Sequence, residues 1–334
     1  MSRPAVVLAM RGPDLRDALL PPALLTRLTD LADCDPDLVV TDFATAPADA
    51  LAAADVLLTG WGCPRVDAAA LERLPRLRLV AHAAGTVKAH VDPVCWERGI
   101  TVTTAAAANA VPVVEFALAQ ILLAGKDLLG ASARYASGTP RPAHEHEPLV
   151  GNYGRVVGII CASTIGRGVL ERLRTFDVQL LLADPTVTAD EAARLGAELV
   201  DLDTLMARSD VVSLHAPLLP GTVGMIGAAQ LAAMRDGTTF LNTARGRIVD
   251  HDALRRELRT GRISAMLDVT EPEPLEPDDE LFALPNVLLT PHIAGSMGNE
   301  LHRMAALALD EVEHLAAGAP PRHPVLLEDL ARMA

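Results

Sequence analysis

Short apolar runs alternate with helical patterns twice along this chain, and no other feature restricts its possible folds as strongly. In the first hundred residues "AVVLAM", "DLVV", "DVLLTG", "LRLVAHA" and "ITVTTA" read as strands, separated by segments such as "DAAALERLP" and "VDPVCWERG". A second series runs from Val156 to about His292, with strands "VVGII", "QLLLAD", "VVSLHAP", "TTFLNTA", "ISAMLDV" and "NVLLTPH". Strands that alternate with helices imply parallel sheets joined by crossover helices. Half of the 334 residues are hydrophobic and only 3% aromatic, a composition suited to buried parallel strands. That length predicts two domains, each able to bury its own core. Between the series the pattern predicts a helix from roughly Val111 to Lys126, then a loop, "SGTPRPAHEHEPLVGNYG". A last helix, around Asn299 to Ala317, is expected to return the chain to the first domain.

The net charge of −14 repels nucleic acid and anionic membranes, so neither is an expected partner. An anionic ligand must instead be held by local donors such as Arg side chains or helix N-termini. Cys34, Cys63, Cys95 and Cys161 show no paired or metal-like spacing, which predicts reduced thiols in a cytoplasm. No secretory segment stands out, and the apolar stretch Ala110 to Gly125, broken by Glu115 and Gln120, reads as too short for a membrane span. The short segment after the last helix gives the expectation that no added regulatory domain follows.

"VVGIICASTIGRG" has the outline of a nucleotide-binding turn, but only Gly166 remains of G-x-G-x-x-G; Cys161 and Ser163 occupy the other two positions. Forcing a non-glycine residue to positive φ costs about 1–2 kcal/mol. The free amides of a helix beginning near Thr164 persist whatever the glycine count, and Ser163 can offer its hydroxyl to a phosphate. Alone, the turn reads equally well as a strand meeting a helix. Asp184, ending the next strand eighteen residues after Gly166, is placed to accept both ribose hydroxyls and to repel a 2′-phosphate. This favours NAD over NADP, although a solvated strand-end Asp has the same appearance.

Arg245, Glu273 and His292 each lie at or just beyond the C-terminal end of a predicted strand, the edge where open α/β sheets bind ligands. Beside a nicotinamide these three suffice to reduce a 2-keto acid. Arg245 can hold the substrate carboxylate and polarise its carbonyl through charge-assisted bonds of roughly 1.5–3 kcal/mol each. His292 can hand a proton to the carbonyl oxygen, and Glu273 can orient the imidazole and favour its charged form.

These stretches, with "ERGITVTTAAAANAVPVVEFALAQILL", "GRVVGIICASTIGR", "VVSLHAPLLPGTVGMI", "FLNTARGRIVD", "LDVTEPEPL" and "TPHIAGS" in order, resemble the D-isomer-specific 2-hydroxyacid dehydrogenases. The resemblance covers most of the chain and is strong from Val80 to Gly295. It implies two doubly wound parallel-sheet domains: a Rossmann-type NAD domain (109–296) inserted into a flavodoxin-like substrate domain (1–108 and 297–334). It implies Arg245, Glu273 and His292 as catalytic residues, and NAD as cofactor. The implied cofactor contacts are Ala84, Ser163, Thr164, Ile165, Asp184, His215, Ala216, Thr243, Ala244, Asp268, Ala294 and Gly295, besides Arg245 and His292. It also implies a homodimer.

Two departures stand out. Cys161 and Ser163 replace a glycine pair, which bears on cofactor affinity more than on cofactor identity. The substrate loop, "AAGTVKAHVD", departs from the G-x-G-x-D of relatives. Gly85, Thr86 and Val87 can still supply amides to a substrate carboxylate, and Lys88 and His90 follow where an acid would stand. This more basic loop suggests a second anionic group on the substrate; Lys88 pointing into solvent is the plain alternative. "HEHE" (His144 to Glu147) has no partner cluster, so no metal is expected. Cys161 reads as a buried small residue rather than a redox thiol, Trp61 and Trp96 as packing residues, and His82 as either pocket-lining or structural. The reading from another class is a nicotinamide-sensing scaffold of the same fold, as in related corepressors.

Overall fold

The computed structural model describes residues 3–138 and 150–331, so the "HEHE" stretch lies outside the described residues. The chain forms two compact units, one of Met1–Ala110 with Ser296–Ala334 and one of Val111–Gly295. Each contains one sheet in which all strand pairs are parallel.

The first unit holds β1 (Val6–Ala9), β2 (Val39–Val40), β3 (Val56–Thr59), β4 (Leu79–His82) and β5 (Thr101–Thr104) in the order β2-β1-β3-β4-β5. This is the doubly wound order of flavodoxin-like sheets. Alternation along β1 sends Val6 and Leu8 to one face and Val7 and Ala9 to the other, and both faces are covered. The first face packs on Leu301–Ala317, whose Met304, Ala305, Ala308, Leu309 and Val312 repeat with helical period. That helix starts two residues later than predicted because a 3-10 turn, Gly298–Glu300, precedes it.

The second unit holds β6 (Val156–Ile160), β7 (Gln179–Ala183), β8 (Glu198–Leu199), β9 (Val211–Leu214), β10 (Thr239–Asn242), β11 (Ser264–Leu267) and β12 (Val287–Leu289). Their order is β12-β11-β10-β9-β6-β7-β8. The chain therefore winds one way from β6 through β7 and β8, then returns to build outward from β9. The order reverses between β6 and β9, and it is beyond the C-terminal ends of strands at such a reversal that sheets of this kind take ligands.

The helix expected from Val111 begins earlier and spans Ala106–Ala124. Its 19 residues have a mean hydropathy of 1.7, long and apolar enough by composition to cross a bilayer, which corrects the expectation of a stretch too short. In the second unit Val114, Ala117, Ile121 and Ala124 form one helical stripe buried against Val157, Ile159 and Leu182 of the sheet. Those four positions make one face of it a core face.

Candidate active site

The turn after β6 shows how the chain manages without two glycines. Cys161 takes φ 75, the left-handed conformation that glycine adopts freely. Its amide donates to the Ala183 carbonyl at 2.9 Å, joining the turn to the end of β7. Ser163, by contrast, sits at φ −61 in extended backbone and caps the helix Thr164–Leu173, its hydroxyl accepting from the Gly166 amide. A side chain at that position therefore costs nothing in backbone strain. Gly166 is required: a Cβ there would stand 2.1 Å from the Cys161 carbonyl oxygen. The first-turn amides of Thr164 and Ile165 sit at the positive end of a ten-residue helix.

Asp184 follows β7 and reaches back to this turn. One carboxylate oxygen accepts from the Ala162 amide at 2.8 Å; the other accepts the Thr186 amide and hydroxyl, each at 2.7 Å. Burial pushes the Asp184 carboxyl up, but the bonds from Thr186 and Ala162 outweigh it and leave it below the usual range. Burial and the adjacent carboxylate push the Cys161 thiol up to about 12, so it stays protonated and unreactive, contrary to a redox role. His215, just past β9, is buried with its Nε2 2.9 Å from the Ser213 hydroxyl, and burial pushes it down to about 4. Ala216 beside it is also buried.

Three further strand ends carry the remaining residues. After β10, Asn242 clamps a tight turn: its side chain accepts from the Ala244 amide at 3.0 Å and donates to the Arg245 carbonyl at 3.1 Å. Thr243 is buried in that turn. Gly246 then lets the turn approach the segment after β11, since a Cβ there would lie 1.9 Å from the Thr270 carbonyl oxygen. Burial lowers the Arg245 guanidinium from its usual value, while the charge of Glu273 acts to raise it. After β12, His292 takes φ 55, with its amide shared between the carbonyls of Asp268 at 2.9 Å and Thr290 at 3.0 Å. Its Nδ1 lies 2.5 Å from Glu273 Oε1, and both side chains are partly open to solvent.

Asp268 explains how a histidine is held in a left-handed turn. Its carboxylate is buried and accepts from the Thr290 hydroxyl at 2.6 Å and from the amides of Ile293 and Ala294 at 2.8 and 2.9 Å. The loop bearing His292 thus wraps around one carboxylate, with Ala294 buried and Gly295 closing it.

The other predicted loop, in the first unit, follows β4. Its carbonyls turn inward: the Thr104 hydroxyl donates to those of Ala84 and Gly85 at 2.8 and 2.6 Å. The Val87 carbonyl accepts from the amides of His90 and Val91, and the Lys88 amide donates to the Thr86 hydroxyl at 3.4 Å. His82 is buried beneath, its Nδ1 2.8 Å from the Thr59 hydroxyl; burial, then His90, push it down to about 3. Of its two readings, the structural one therefore holds.

Residues 118–294 match the family described as D-isomer specific 2-hydroxyacid dehydrogenase, NAD binding domain. A "(S)-sulfolactate dehydrogenase" of Chromohalobacter salexigens is 35% identical over 297 residues, covering 84% of this chain and 93% of that one. The chain belongs to this family. It is 33% identical over 269 residues to a "D-3-phosphoglycerate dehydrogenase" of Archaeoglobus fulgidus; the match covers 80% of this chain but spans about half (50%) of that relative. Among solved structures, "D-Lactate dehydrogenase" of Aquifex aeolicus, complexed with NAD and lactic acid, superposes with a TM-score of 0.68. It is 27% identical and covers 94% of this chain and 96% of its own.

As a member of the D-isomer specific 2-hydroxyacid dehydrogenases, a family of NAD-dependent oxidoreductases, the chain uses NAD as cofactor. The residues present fit it: a helix N-terminus capped by Ser163 whose close approach to the turn requires Gly166, an acid at the tip of β7, and a turn after β10 that contains Thr243, Ala244 and Gly246. Among the described residues no cluster of His, Cys, Asp or Glu could hold a metal ion. Asn242, Thr290, Thr186 and Gly246 carry the site's geometry and went unread in the sequence. Only Gly246, flanked by two arginines after a strand, left a trace there.

Proposed function

We propose that this chain interconverts a D-2-hydroxy acid and its 2-keto acid at the C-terminal edge of the second unit's sheet. The observation that carries this reading is the His292–Glu273 pair, 2.5 Å apart, at the same edge as Arg245 and the helix N-terminus after β6. When bound here, the dinucleotide would supply the hydride that the carbonyl carbon accepts. The Arg245 guanidinium binds the substrate carboxylate and polarises the carbonyl, which suits a group kept charged in partly buried surroundings. His292, hydrogen-bonded at Nδ1 to Glu273, presents Nε2 and gives its proton to the carbonyl oxygen; in oxidation it takes that proton back. Glu273 fixes the tautomer and ring orientation and balances the imidazolium charge.

Cofactor contacts follow from the same placement. The amides of Thr164 and Ile165, with Ser163, receive the pyrophosphate, and Asp184 receives the adenosine ribose. His215 and Ala216 wall the adenosine through their backbone. Thr243, Ala244, Asp268, Ala294 and Gly295 form the nicotinamide side, Asp268 acting through the loop it holds. By the family resemblance Ala84 is a cofactor residue and Gly85, Thr86, Val87 and Lys88 are substrate residues; within the first unit the carbonyls of Ala84 and Gly85 accept from the Thr104 hydroxyl.

A dianionic substrate suits the positive charge of Lys88, and the sulfolactate relative's name specifies a substrate with two acidic groups. Turnover of monoanionic and dianionic 2-keto acids by wild type and Lys88→Ala tests this; an unchanged preference removes it. Four free thiols fit a cytoplasmic setting, and exposed Leu123, Leu128 and Tyr135 on neighbouring helices fit a homodimer surface. Mixing the purified chain with NADH and a panel of 2-keto acids tests the whole. Oxidation of NADH supports the enzyme, and NADH binding without oxidation supports a sensing scaffold.

A further inference from the structure

Glu311 is a buried carboxylate of the first unit, 2% exposed on the helix Leu301–Ala317, and the proposed reaction gives it nothing to do. Its bonds explain its burial. Past the helix Gly318 turns the chain back at φ 67, and the segment from Pro320 to Val325 contains three prolines, which have no N–H. The donors left to it are the amides of Arg322, His323 and Val325. Glu311 accepts the first two, Arg322 at 3.0 and 3.2 Å and His323 at 2.9 Å, and the Val102 carbonyl accepts the third at 2.8 Å.

The segment thereby lies antiparallel along β5, the edge strand of the sheet, with Pro324 opposite Thr103. The Val325 carbonyl also takes the Trp96 indole N–H at 2.7 Å. Beside Pro324, the His323 carbonyl accepts the Thr104 amide at 3.3 Å. Thr104 is the junction. Its hydroxyl holds the Ala84 and Gly85 carbonyls, and the next amide, of Ala105, donates to the carbonyls of His82 and Ala84 at 2.9 and 3.1 Å. One series of hydrogen bonds thus runs from Glu311 through the segment and Thr104 to the loop after β4.

We propose that Glu311 is a positioning residue for that loop: by fixing Arg322–Val325 against β5 it fixes Thr104, and with it the backbone of Gly85, Thr86 and Val87. The inference rests on the reading of those three as substrate contacts. A carboxylate with a purely structural role would lower stability without singling out one ligand. A positioning one alters substrate binding more than dinucleotide binding, because the turns after β6, β7 and β10 belong to the other unit.

The test is a double-substitution cycle in the full chain, with Glu311→Leu, which removes both acceptor oxygens at similar volume, and Thr104→Val, which removes the hydroxyl. KM and kcat are measured for a 2-keto acid that the wild type reduces, NADH affinity by fluorescence titration, and folding by circular dichroism. Each single substitution should raise KM about three- to ten-fold, the net worth of one hydrogen bond, with kcat and NADH affinity held within about two-fold. The two together should raise KM by less than the product of their separate effects, since both act on one loop. Glu311→Gln keeps one oxygen for His323 but sets its NH2 against the Arg322 amide; it should show a smaller rise, and it takes the place of Glu311→Leu if that protein is unfolded. A folded Glu311 variant with wild-type KM, a double variant showing the full product, or a loss of NADH affinity as large as the rise in KM overturns the proposal. Unchanged KM in Thr104→Val alone overturns the reading of the loop as the substrate site, which is a distinguishable result.

Discussion

Replacing Asp268 with Asn should damage both stability and catalysis, because one buried carboxylate holds the whole His292 loop. Its Oδ1 accepts from the Thr290 hydroxyl and the Ile293 amide, and its Oδ2 from the Ala294 amide. An asparagine can keep its oxygen on the first pair, but its NH2 then faces the Ala294 N–H, donor against donor. One charge-assisted bond of about 1.5–3 kcal/mol is lost, and two others fall to neutral strength, about 1 kcal/mol less each. The sum is roughly 3.5–5 kcal/mol, large against typical folding stabilities. It falls on a loop that already holds His292 at φ 55, a conformation costing about 1–3 kcal/mol. The loop should relax, carrying the imidazole away from Glu273, so kcat should fall by at least a hundred-fold while NADH affinity changes less. Urea denaturation followed by steady-state kinetics measures both. A variant within 0.5 kcal/mol of wild type, or one that keeps wild-type kcat, would refute the clamp.

Other perturbations report on neighbouring parts of the argument. Reduction consumes a proton and oxidation releases one, so raising pH should slow keto-acid reduction and quicken hydroxy-acid oxidation; Glu273→Gln should lower both kcat values, and matching pH profiles in the two directions would contradict the proton role of His292. Gly246→Ala should destabilise the second unit by about 1–3 kcal/mol, since its Cβ would meet the Thr270 carbonyl oxygen at 1.9 Å and push the Arg245 turn from the Glu273 segment. A folded Gly246→Ala protein with wild-type kcat/KM would show that this approach is dispensable. Stability should also decline in mild acid. His82, held down to about 3, and His215 and His251, each at about 4, are neutral when folded, whereas the unfolded chain protonates them near its ordinary value of about 6.5. Their contribution is therefore complete above about pH 6.5 and is lost as pH falls toward 4, by up to about 1.4 kcal/mol per pH unit for each. A urea midpoint constant from pH 7 to 5, or a slope unchanged in His215→Gln, would argue against it.

Much of the architecture was legible because buried parallel strands must be apolar and short. β6, β7, β9, β10, β11 and β12 each read directly from such a run, and the end of each run located Arg245, Glu273 and His292 on one sheet edge. β8 escaped because it has two residues, one an exposed glutamate, so it makes no apolar run. The helix around Pro112 was placed too late because proline favours a first turn, whereas here six helical residues precede it and the missing N–H is tolerated. The replaced glycines illustrate both sides. The strain expected at Cys161 is present, while Ser163 proved to need no left-handed backbone and to serve as a helix cap. What no pattern could disclose were the bonds that converge on a single carboxylate. The donors to Asp268 and to Asp184 become neighbours only once the turns are folded, and Thr186 and Thr290 look like any other loop threonines.

The most direct measurement of the central claim follows the hydride itself. With NADH deuterated at the transferable position of its nicotinamide and a 2-keto acid as acceptor, the account predicts a D-2-hydroxy acid carrying deuterium at C2. Label in the product from wild type, and its loss in His292→Ala and Arg245→Ala proteins that still bind NADH, is the expected outcome. Tight NADH binding with no label transferred to any 2-keto acid, or transfer that survives loss of both side chains, would contradict it.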